Sequence, residues 1–181
     1  MPRKSECLIF AACVIAAALF FNIAGCAARE SVNGNQTEAS QQPVPKRITT
    51  SELKNLRWIE GTWRGTGDGQ QPFFERYHFE NDSTLVVESF SDETLSKVTE
   101  TARYELKDGQ FGNSGDGPRW VATKFDNDSI TFEPVARARN QFRWERQSND
   151  VWKAVLTWPA SQNNPAKQKV YQMERVPQAK Q

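Results

Sequence analysis

The residue types that enzymes use for nucleophilic and metal-assisted chemistry are sparse in this chain, and their spacing does not assemble a site. The sequence has one histidine, His78, so no metal site can use several histidine ligands. His78, Asp92 and Ser114 follow one another in the order of a nucleophilic triad, but nothing places the base within about 3 Å of the hydroxyl. The glycines of segment 65–69 lack the Gly-Lys-Ser/Thr sequence of a phosphate loop. We therefore predict no enzymatic activity, no metal site and no cofactor.

A second candidate for chemistry is segment 73–79, in which polar and aromatic side chains alternate. Because successive side chains of a strand point to opposite faces, Phe74, Arg76 and His78 share one face. Both faces combine rings with a few polar groups, as the walls of ligand pockets do, although the polar members could equally point to water. The face opposite to Phe74, Arg76 and His78 is our candidate site for a small apolar or amphipathic ligand. Its residues are Phe73, Glu75, Tyr77 and Phe79.

Two glutamates of neighbouring segments could form a carboxylate pair. A hairpin that joins 72–80 to 84–91 would bring Glu75 near Glu88, and glycosidases use such pairs at separations of about 5–10 Å. The sequence identifies no substrate cleft beside them. The simpler hypothesis is that both carboxylates are solvated or paired with arginines.

The composition indicates one domain built from strands with one apolar and one polar face. Lys and Arg total 23 against 22 Asp and Glu, and this balance excludes a strongly basic nucleic-acid binder. Six Trp and eleven Phe occur in a chain whose mean hydropathy is −0.70, as expected when apolar and polar side chains alternate. The length allows one core of moderate size.

The N-terminus has the pattern of an export signal. The apolar run from Leu8 to Phe21 would span about 21 Å as a helix, short of the hydrocarbon core of about 30 Å. It is followed by Ile-Ala-Gly-Cys at 23–26, which resembles the bacterial lipobox. The resemblance implies a signal peptide at 1–25 and lipidation of Cys26, which would anchor the protein to a membrane. Ala27 in place of aspartate implies the periplasmic side of the outer membrane, if the organism has one. An ordinary secretory signal and an uncleaved anchor are the alternatives.

Residues 26–48 are predicted to be the lipidated cysteine and a disordered tether. This stretch is polar, has no hydrophobic period and ends near Pro43 and Pro45. A docked N-terminal strand is the alternative. The chain has no cysteine after Cys26, so the domain beyond it can form no disulfide.

The remainder reads as one β-rich domain at 49–177, with a tail at 178–181. Thr49 and Glu52 predict a capping box that opens a short helix over 50–56. Turn signals then recur about every ten residues, which favours an antiparallel barrel. The predicted strands lie near 58–66, 72–80, 84–91, 97–106, 118–125, 129–135, 140–147, 151–158 and 168–176.

The opening of this domain resembles that of the lipocalin-like (calycin) barrels. Trp58-Ile59-Glu60-Gly61-Thr62-Trp63 follows a short helix, as the Gly-x-Trp opening does in that superfamily, and is most similar to an uncharacterised bacterial lipocalin-like family. The resemblance implies an all-β, up-and-down barrel of about 8–10 strands. It also implies that Gly61, Trp63 and Arg175 are structural, with the arginine of the last strand stacked over the tryptophan. The opening is also similar to that of nitrobindin, a haem-binding barrel, but no histidine after His78 is present to ligate haem.

Two functions follow from these features. The first is a membrane-anchored exported lipoprotein whose barrel binds a small apolar or amphipathic ligand. The second is a non-catalytic structural or interaction lipoprotein of the cell envelope whose barrel is filled by side chains. Eight-stranded barrels occur in both forms, so the sequence leaves the choice open.

Overall fold

The structure, a computed structural model, describes residues 42–162 and 164–177. A short helix α1 (Thr50–Leu53) leads into a 3₁₀ helix (Lys54–Ile59). Ten strands follow: β1 (Gly61–Gly67), β2 (Phe73–Asn81), β3 (Thr84–Phe90), β4 (Val98–Lys107), β5 (Gln110–Asn113), β6 (Arg119–Phe125), β7 (Ser129–Ala136), β8 (Gln141–Arg146), β9 (Val151–Trp158) and β10 (Lys167–Arg175). Each strand pairs antiparallel with the next, and β1 closes the barrel against β10.

The predicted fold class, an all-β up-and-down barrel of 8–10 strands with a short N-terminal helix, is confirmed. The prediction of nine strands is wrong by one, because it missed β5. That strand has four residues, of which Phe111 alone is a large apolar side chain, and it reads as part of a glycine-rich loop. A single register pair, Gly112 with Val121, joins β5 to β6, so a local pattern could hardly reveal it.

The helical segment forms as its sequence predicts and covers one end of the barrel. The Thr49 backbone N–H donates to the Glu52 carboxylate at 2.7 Å, and the Glu52 N–H donates to the Thr49 hydroxyl at 3.1 Å, which completes the capping box. Leu53, Leu56 and Ile59 are buried. Their spacing of three matches the period of a 3₁₀ helix, so the three side chains line up on the face that meets the core. The helix therefore extends through Trp58 and Ile59, which the sequence had assigned to the first strand.

The inner side of the barrel is filled by aromatic and aliphatic side chains at alternate positions. On β9, Trp152, Ala154 and Leu156 point inward, and on β8 the inward residues are Phe142 and Trp144. The Trp144 and Trp152 rings pack edge to face with centroids 6.0 Å apart, and the Phe142 ring stacks on that of Phe132 at 4.6 Å. This core fixes which face of each strand turns inward.

The segment before α1 packs on the barrel. The Lys46 N–H donates to the Ala122 carbonyl at 2.8 Å, and the Ile48 N–H donates to the Gly109 carbonyl at 2.9 Å. Ile48, which the sequence placed in the tether, is only 3 % exposed. The predicted signal peptide, Cys26 and the tail at 178–181 lie outside the described residues. No helix within 42–162 and 164–177 is long and apolar enough to cross a membrane.

Candidate ligand-binding cavity

The barrel end under the 3₁₀ helix is closed by the residues predicted to be structural. The Arg175 guanidinium lies 4.1 Å from the Trp63 ring centroid, and the Trp63 indole N–H donates to the Ile59 carbonyl at 2.7 Å. Arg175 also donates to the Glu60 carbonyl at 2.8 Å and to the Asp150 carboxylate at 3.1 Å. One arginine thus joins β10 to the helix and to the β8–β9 turn.

Gly61 is required by the same contact. Its φ of +137° lies in the region that favours glycine, and a Cβ at this position would overlap the Arg175 guanidinium. The structure therefore brings Gly61, Trp63 and Arg175 together, in the arrangement that the sequence resemblance implies.

A cavity of about 60 Å³ lies inside the barrel, between the middle and the end opposite the helix. This volume has room for roughly four water molecules, at about 15 Å³ each. It is well below the 300–1,000 Å³ or so of pockets that hold drug-sized ligands. The cavity is lined by Glu75, Tyr77, Val87, Ala102, Tyr104, Asn113, Trp120, Asn140, Phe142, Trp144 and Leu156.

The cavity is confined to one side because aromatic rings fill the other. Phe73 packs edge to face with Tyr171, with 5.5 Å between the ring centroids. The Phe73 ring lies against Gly65, where a Cβ would overlap it. The glycine therefore allows Phe73 to occupy the interior beside β1 and β10, and the cavity lies next to this ring, against residues of β2 to β6, β8 and β9.

Among the described residues that line the cavity, Glu75 is the one acidic or basic side chain, and it is 1 % exposed. The Tyr77 hydroxyl donates to its Oε2 at 2.7 Å, and the Ser89 hydroxyl lies 3.5 Å from its Oε1. Within the described chain, no lysine, arginine or histidine forms an ion pair with it or lines the cavity. The carboxyl group is thus held by two hydroxyls and no opposite charge.

This environment makes Glu75 a much weaker acid than a glutamate in water. Burial raises the pKa of Glu75 from 4.5 to about 8, since the anion loses its hydration, and the nearby Glu100 adds to the effect by repulsion. The Tyr77 and Ser89 hydrogen bonds act in the opposite direction and are too weak to cancel it. Burial also raises the pKa values of the Tyr77 and Tyr104 hydroxyls, both of which lie near Glu75. At pH 7 Glu75 is therefore mostly protonated.

Glu88, the second member of the predicted carboxylate pair, lies on the outside. Glu75 pairs in register with Ser89, so Glu88 belongs to the opposite face of the sheet, where it forms an ion pair with Arg76 at 3.5 Å. The carboxylate-pair hypothesis is therefore wrong. The simpler hypothesis, that both groups are solvated or paired with arginines, holds for Glu88 and is wrong for Glu75.

The four predicted ligand-binding residues separate into two groups. Glu75 and Tyr77 line the cavity, and the other two do not. Phe73 fills the barrel beside Gly65. Phe79 lies near the helix, where the Arg57 guanidinium is 4.7 Å from its ring centroid.

Most of the wall comes from strands that the sequence analysis did not consider for binding. Tyr104 and Trp144 could have been found, because each sits on the apolar face of an alternating strand. Asn113 and Asn140 carry no such signal. They belong to the ends of β5 and of the β7–β8 connection, and only closure of the barrel brings them to one cavity.

The residues considered for catalysis are not assembled. His78 lies on the outer face of β2, Asp92 in the exposed turn after β3, and Ser114 after β5. Across residues 42–162 and 164–177, no group of three or more His, Cys, Asp or Glu is placed to hold a metal ion.

No family model matches the chain, and no curated protein matches it. Two solved structures show a distant likeness at 12 % identity. One is EF1p2_mFAP2b bound to DFHBI, with a TM-score of 0.36 over 69 % of this chain and 99 % of that one. The other is a redesigned beta barrel, with a TM-score of 0.33 over 70 % of this chain and 96 % of that one. Scores this low carry no argument about ligand or activity.

Proposed function

We propose that this protein is a non-catalytic, membrane-anchored exported lipoprotein whose barrel binds a small ligand in the Glu75 cavity. The observation that carries the binding proposal is a buried carboxyl group without a counter-charge on the wall of an internal space. A purely structural core excludes such a group, because burying it without full pairing is costly. The Gly61, Trp63 and Arg175 arrangement supports grouping the chain with lipocalin-like barrels.

The cavity volume limits the ligand to a small molecule or to a small terminal group of a larger one. An engineered cavity of about 150 Å³ holds benzene, so 60 Å³ admits only a few non-hydrogen atoms without movement of the wall. A whole acyl chain would not fit. An amphipathic ligand would therefore insert its polar end toward Glu75.

Binding is tested with the full chain in dodecyl maltoside, by titration with small water-soluble alcohols, amides, amines and carboxylates. Trp120 and Trp144 line the cavity, so an occupant should change the tryptophan fluorescence. A ligand at 100 times its dissociation constant should also stabilise the fold by about 2.7 kcal/mol. The control is Ala102→Leu, which adds volume inside the cavity and should abolish the response while the barrel still folds.

The second candidate function, a structural or interaction lipoprotein with a filled barrel, is favoured by the small size of the cavity. It predicts no saturable response from any ligand class. It also predicts that Ala102→Leu and the wild type behave alike in every titration.

Anchoring and location are tested separately. Replacement of Cys26 by serine should leave an unprocessed precursor that takes up no labelled fatty acid. Equal labelling of the wild type and the Cys26→Ser variant would contradict lipidation at this residue. Fractionation of the inner and outer membranes of a two-membrane host then tests the predicted outer-membrane location.

A further inference from the structure

We infer that the Glu75 cavity is a site for a small ammonium-type cation, which enters against the aromatic wall and forms an ion pair with the Glu75 carboxylate. This inference rests on the proposed function, because it names the class of ligand for the same cavity. Three features of the wall carry it: a buried carboxyl without a counter-charge, no Lys, Arg or His among the described lining residues, and a surrounding group of aromatic rings.

The first feature is the unbalanced charge. Glu75 has two hydroxyl neighbours and no cationic partner in the described chain, and Glu100 on β4 adds negative potential. Glu100 pairs in register with Ser89, the neighbour of Glu75 on β3, so both carboxyls belong to the same side of the sheet. Any anionic ligand would meet repulsion here, and a cation would be attracted.

The second feature is that the obvious internal cation is held elsewhere. Trp63 pairs in register with Glu75 on one side and with Arg175 on the other. The Arg175 guanidinium is engaged by the Glu60 carbonyl, the Asp150 carboxylate and the Trp63 ring, all at the closed end. Arg175 therefore does not form an ion pair with Glu75, and no cation of the described chain balances the charge of the Glu75 carboxylate.

The third feature is the aromatic wall. Tyr77 and Trp144 pack edge to face with centroids 5.7 Å apart, and Tyr104 and Trp144 do so at 5.3 Å. Trp120 and Phe142 complete the wall toward the open end. Ring faces attract ammonium groups, and a nearby carboxylate adds Coulombic attraction to the same cation. The cavity has room for an ammonium with one methyl substituent, and a larger ammonium would have to displace the wall.

Binding is a proton exchange. The neutral Glu75 acid releases its proton to solvent, and the ammonium takes the place of that proton as the charge partner of the carboxylate. The titratable groups that face Glu75 are Tyr77 on its own strand and Glu100 and Tyr104 on β4; the neighbouring positions on β1 and β3 are Trp63 and Ser89, which do not titrate. Because burial raises the pKa values of both tyrosines, they keep their protons between pH 6 and 9. The pKa of Glu75, at about 8, falls inside the tested range, and burial also raises the pKa of Glu100 above its ordinary value.

The pH dependence of affinity distinguishes a cation site from a site for neutral acceptors. Below pH 8 each unit of added acidity should weaken cation binding about tenfold, since Glu75 must lose a proton first. Above pH 8 the affinity should become constant. A ligand that accepts a hydrogen bond from the neutral acid would show the opposite trend and lose affinity as the pH rises through 8.

The test is isothermal titration calorimetry of the full chain in dodecyl maltoside, which contains no ammonium group. The probes are methylammonium and tetramethylammonium, with acetate and ethanol as the anionic and neutral comparisons. Tetramethylammonium cannot titrate, and methylammonium, like the lysine side chain with its pKa near 10.4, stays charged to pH 9. At least one of the two cations should bind, and measurements in two buffers at pH 7 should show release of nearly one proton per cation bound.

The variant Glu75→Gln keeps the size of the side chain and can still bond to Tyr77, so it should fold and lose at least tenfold in cation affinity, together with the proton release. Its matched control is Glu88→Gln, which removes the outward carboxylate of the adjacent strand and should leave both unchanged. The inference is overturned if acetate or ethanol binds more tightly than both cations, or if Glu75→Gln binds the cations as the wild type does. Saturable binding of neutral ligands alone would overturn the cation inference and leave the proposed function standing. An absence of binding by every class would overturn both.

Discussion

The ionisable side chains of Arg175, at the helical end of the barrel, and of Glu75, in its interior, have opposite surroundings. At the helical end, the Arg175 guanidinium lies over the Trp63 ring and donates to the Glu60 carbonyl and the Asp150 carboxylate. It is also partly exposed to solvent. Inside the barrel, Glu75 is fully buried and has only two hydroxyl neighbours. Both residues pair with Trp63 in register, and they differ in the partners that each side chain contacts.

The contacts of Arg175 stabilise the fold, whereas the Glu75 carboxyl has no charged partner and is available to bind one. A charged group whose hydrogen bonds are satisfied joins elements together and strengthens the fold. A buried acid without a counter-charge weakens the fold and is neutral only because its pKa has moved. The following predictions test the contrast, beginning with the largest expected effect.

The closed end should show its largest dependence on Trp63. Trp63→Ala removes a ring that is 1 % exposed and should lower the free energy of unfolding by about 3–5 kcal/mol. Chemical denaturation measures the loss. The control is Trp158→Ala, at a partly exposed position on β9, which should cost clearly less. Equal losses at the two positions would contradict the special role of the closed end.

The cavity should make stability depend on pH. The unfolded chain releases the Glu75 proton near pH 4.5, and the folded protein holds it to about pH 8, so the folded state binds more protons in between. The free energy of unfolding should therefore fall as pH rises from 5 to 8, by roughly 1.4 kcal/mol per unit at most. Denaturation curves at pH 5, 6.5 and 8 measure this slope.

Glu75→Gln should remove most of that slope, and Glu88→Gln should retain it. A variant that lacks the Glu75 carboxyl and still loses stability as steeply as the wild type would show that another group titrates.

The contact between Arg175 and Trp63 should appear as a coupling energy. Arg175→Ala should cost less than Trp63→Ala, and the double variant should be less than additive by about 1–2 kcal/mol, the value of a partly desolvated cation–π contact. A second double-variant cycle, of Trp63 with Arg103 on the outer face of β4, provides the reference for two residues that do not interact. If the Trp63–Arg175 cycle is as additive as this reference, the two side chains do not interact.

The smallest effect is expected at the helix that covers the closed end. Thr49→Ala removes the capping side chain and should cost about 1 kcal/mol. Thr50→Ala, one residue further on, removes a hydroxyl outside the capping box and should be near neutral. Thermal unfolding of the two variants side by side measures the difference, and a Thr50 effect as large as that of Thr49 would argue against the cap.

Much of the fold could be predicted from local patterns. The capping box at Thr49 and Glu52, the alternation on β8 and β9, and the turn sequences between strands are properties of neighbouring residues, and all of them appear in the structure. The Gly61-x-Trp63 opening also pointed to the partner of Trp63 at Arg175, since a known family resemblance connects the two positions. The strand that was missed, β5, is short and has one apolar side chain, so its pairing depends on its neighbours in the barrel.

The candidate site was predictable only in part. The alternation of 73–79 placed Glu75 and Tyr77 on one face but did not say which face turns inward. It also grouped them with Phe73 and Phe79, because a strand pattern has no information on depth along the barrel. The structure assigns Phe73 to the space above Gly65 and Phe79 to the region under Arg57.

The sequence by itself determined the period of each strand, the places of most turns, the helix cap and the shortage of catalytic residue types. These depend on residues within a few positions of one another. The tertiary structure alone decided that Glu75 faces inward, that Arg175 turns away from it, and that Asn113, Trp120 and Asn140 meet at one cavity. Such choices depend on the register of ten strands and the closure of β1 against β10, which the energy of the whole barrel selects and no single segment encodes.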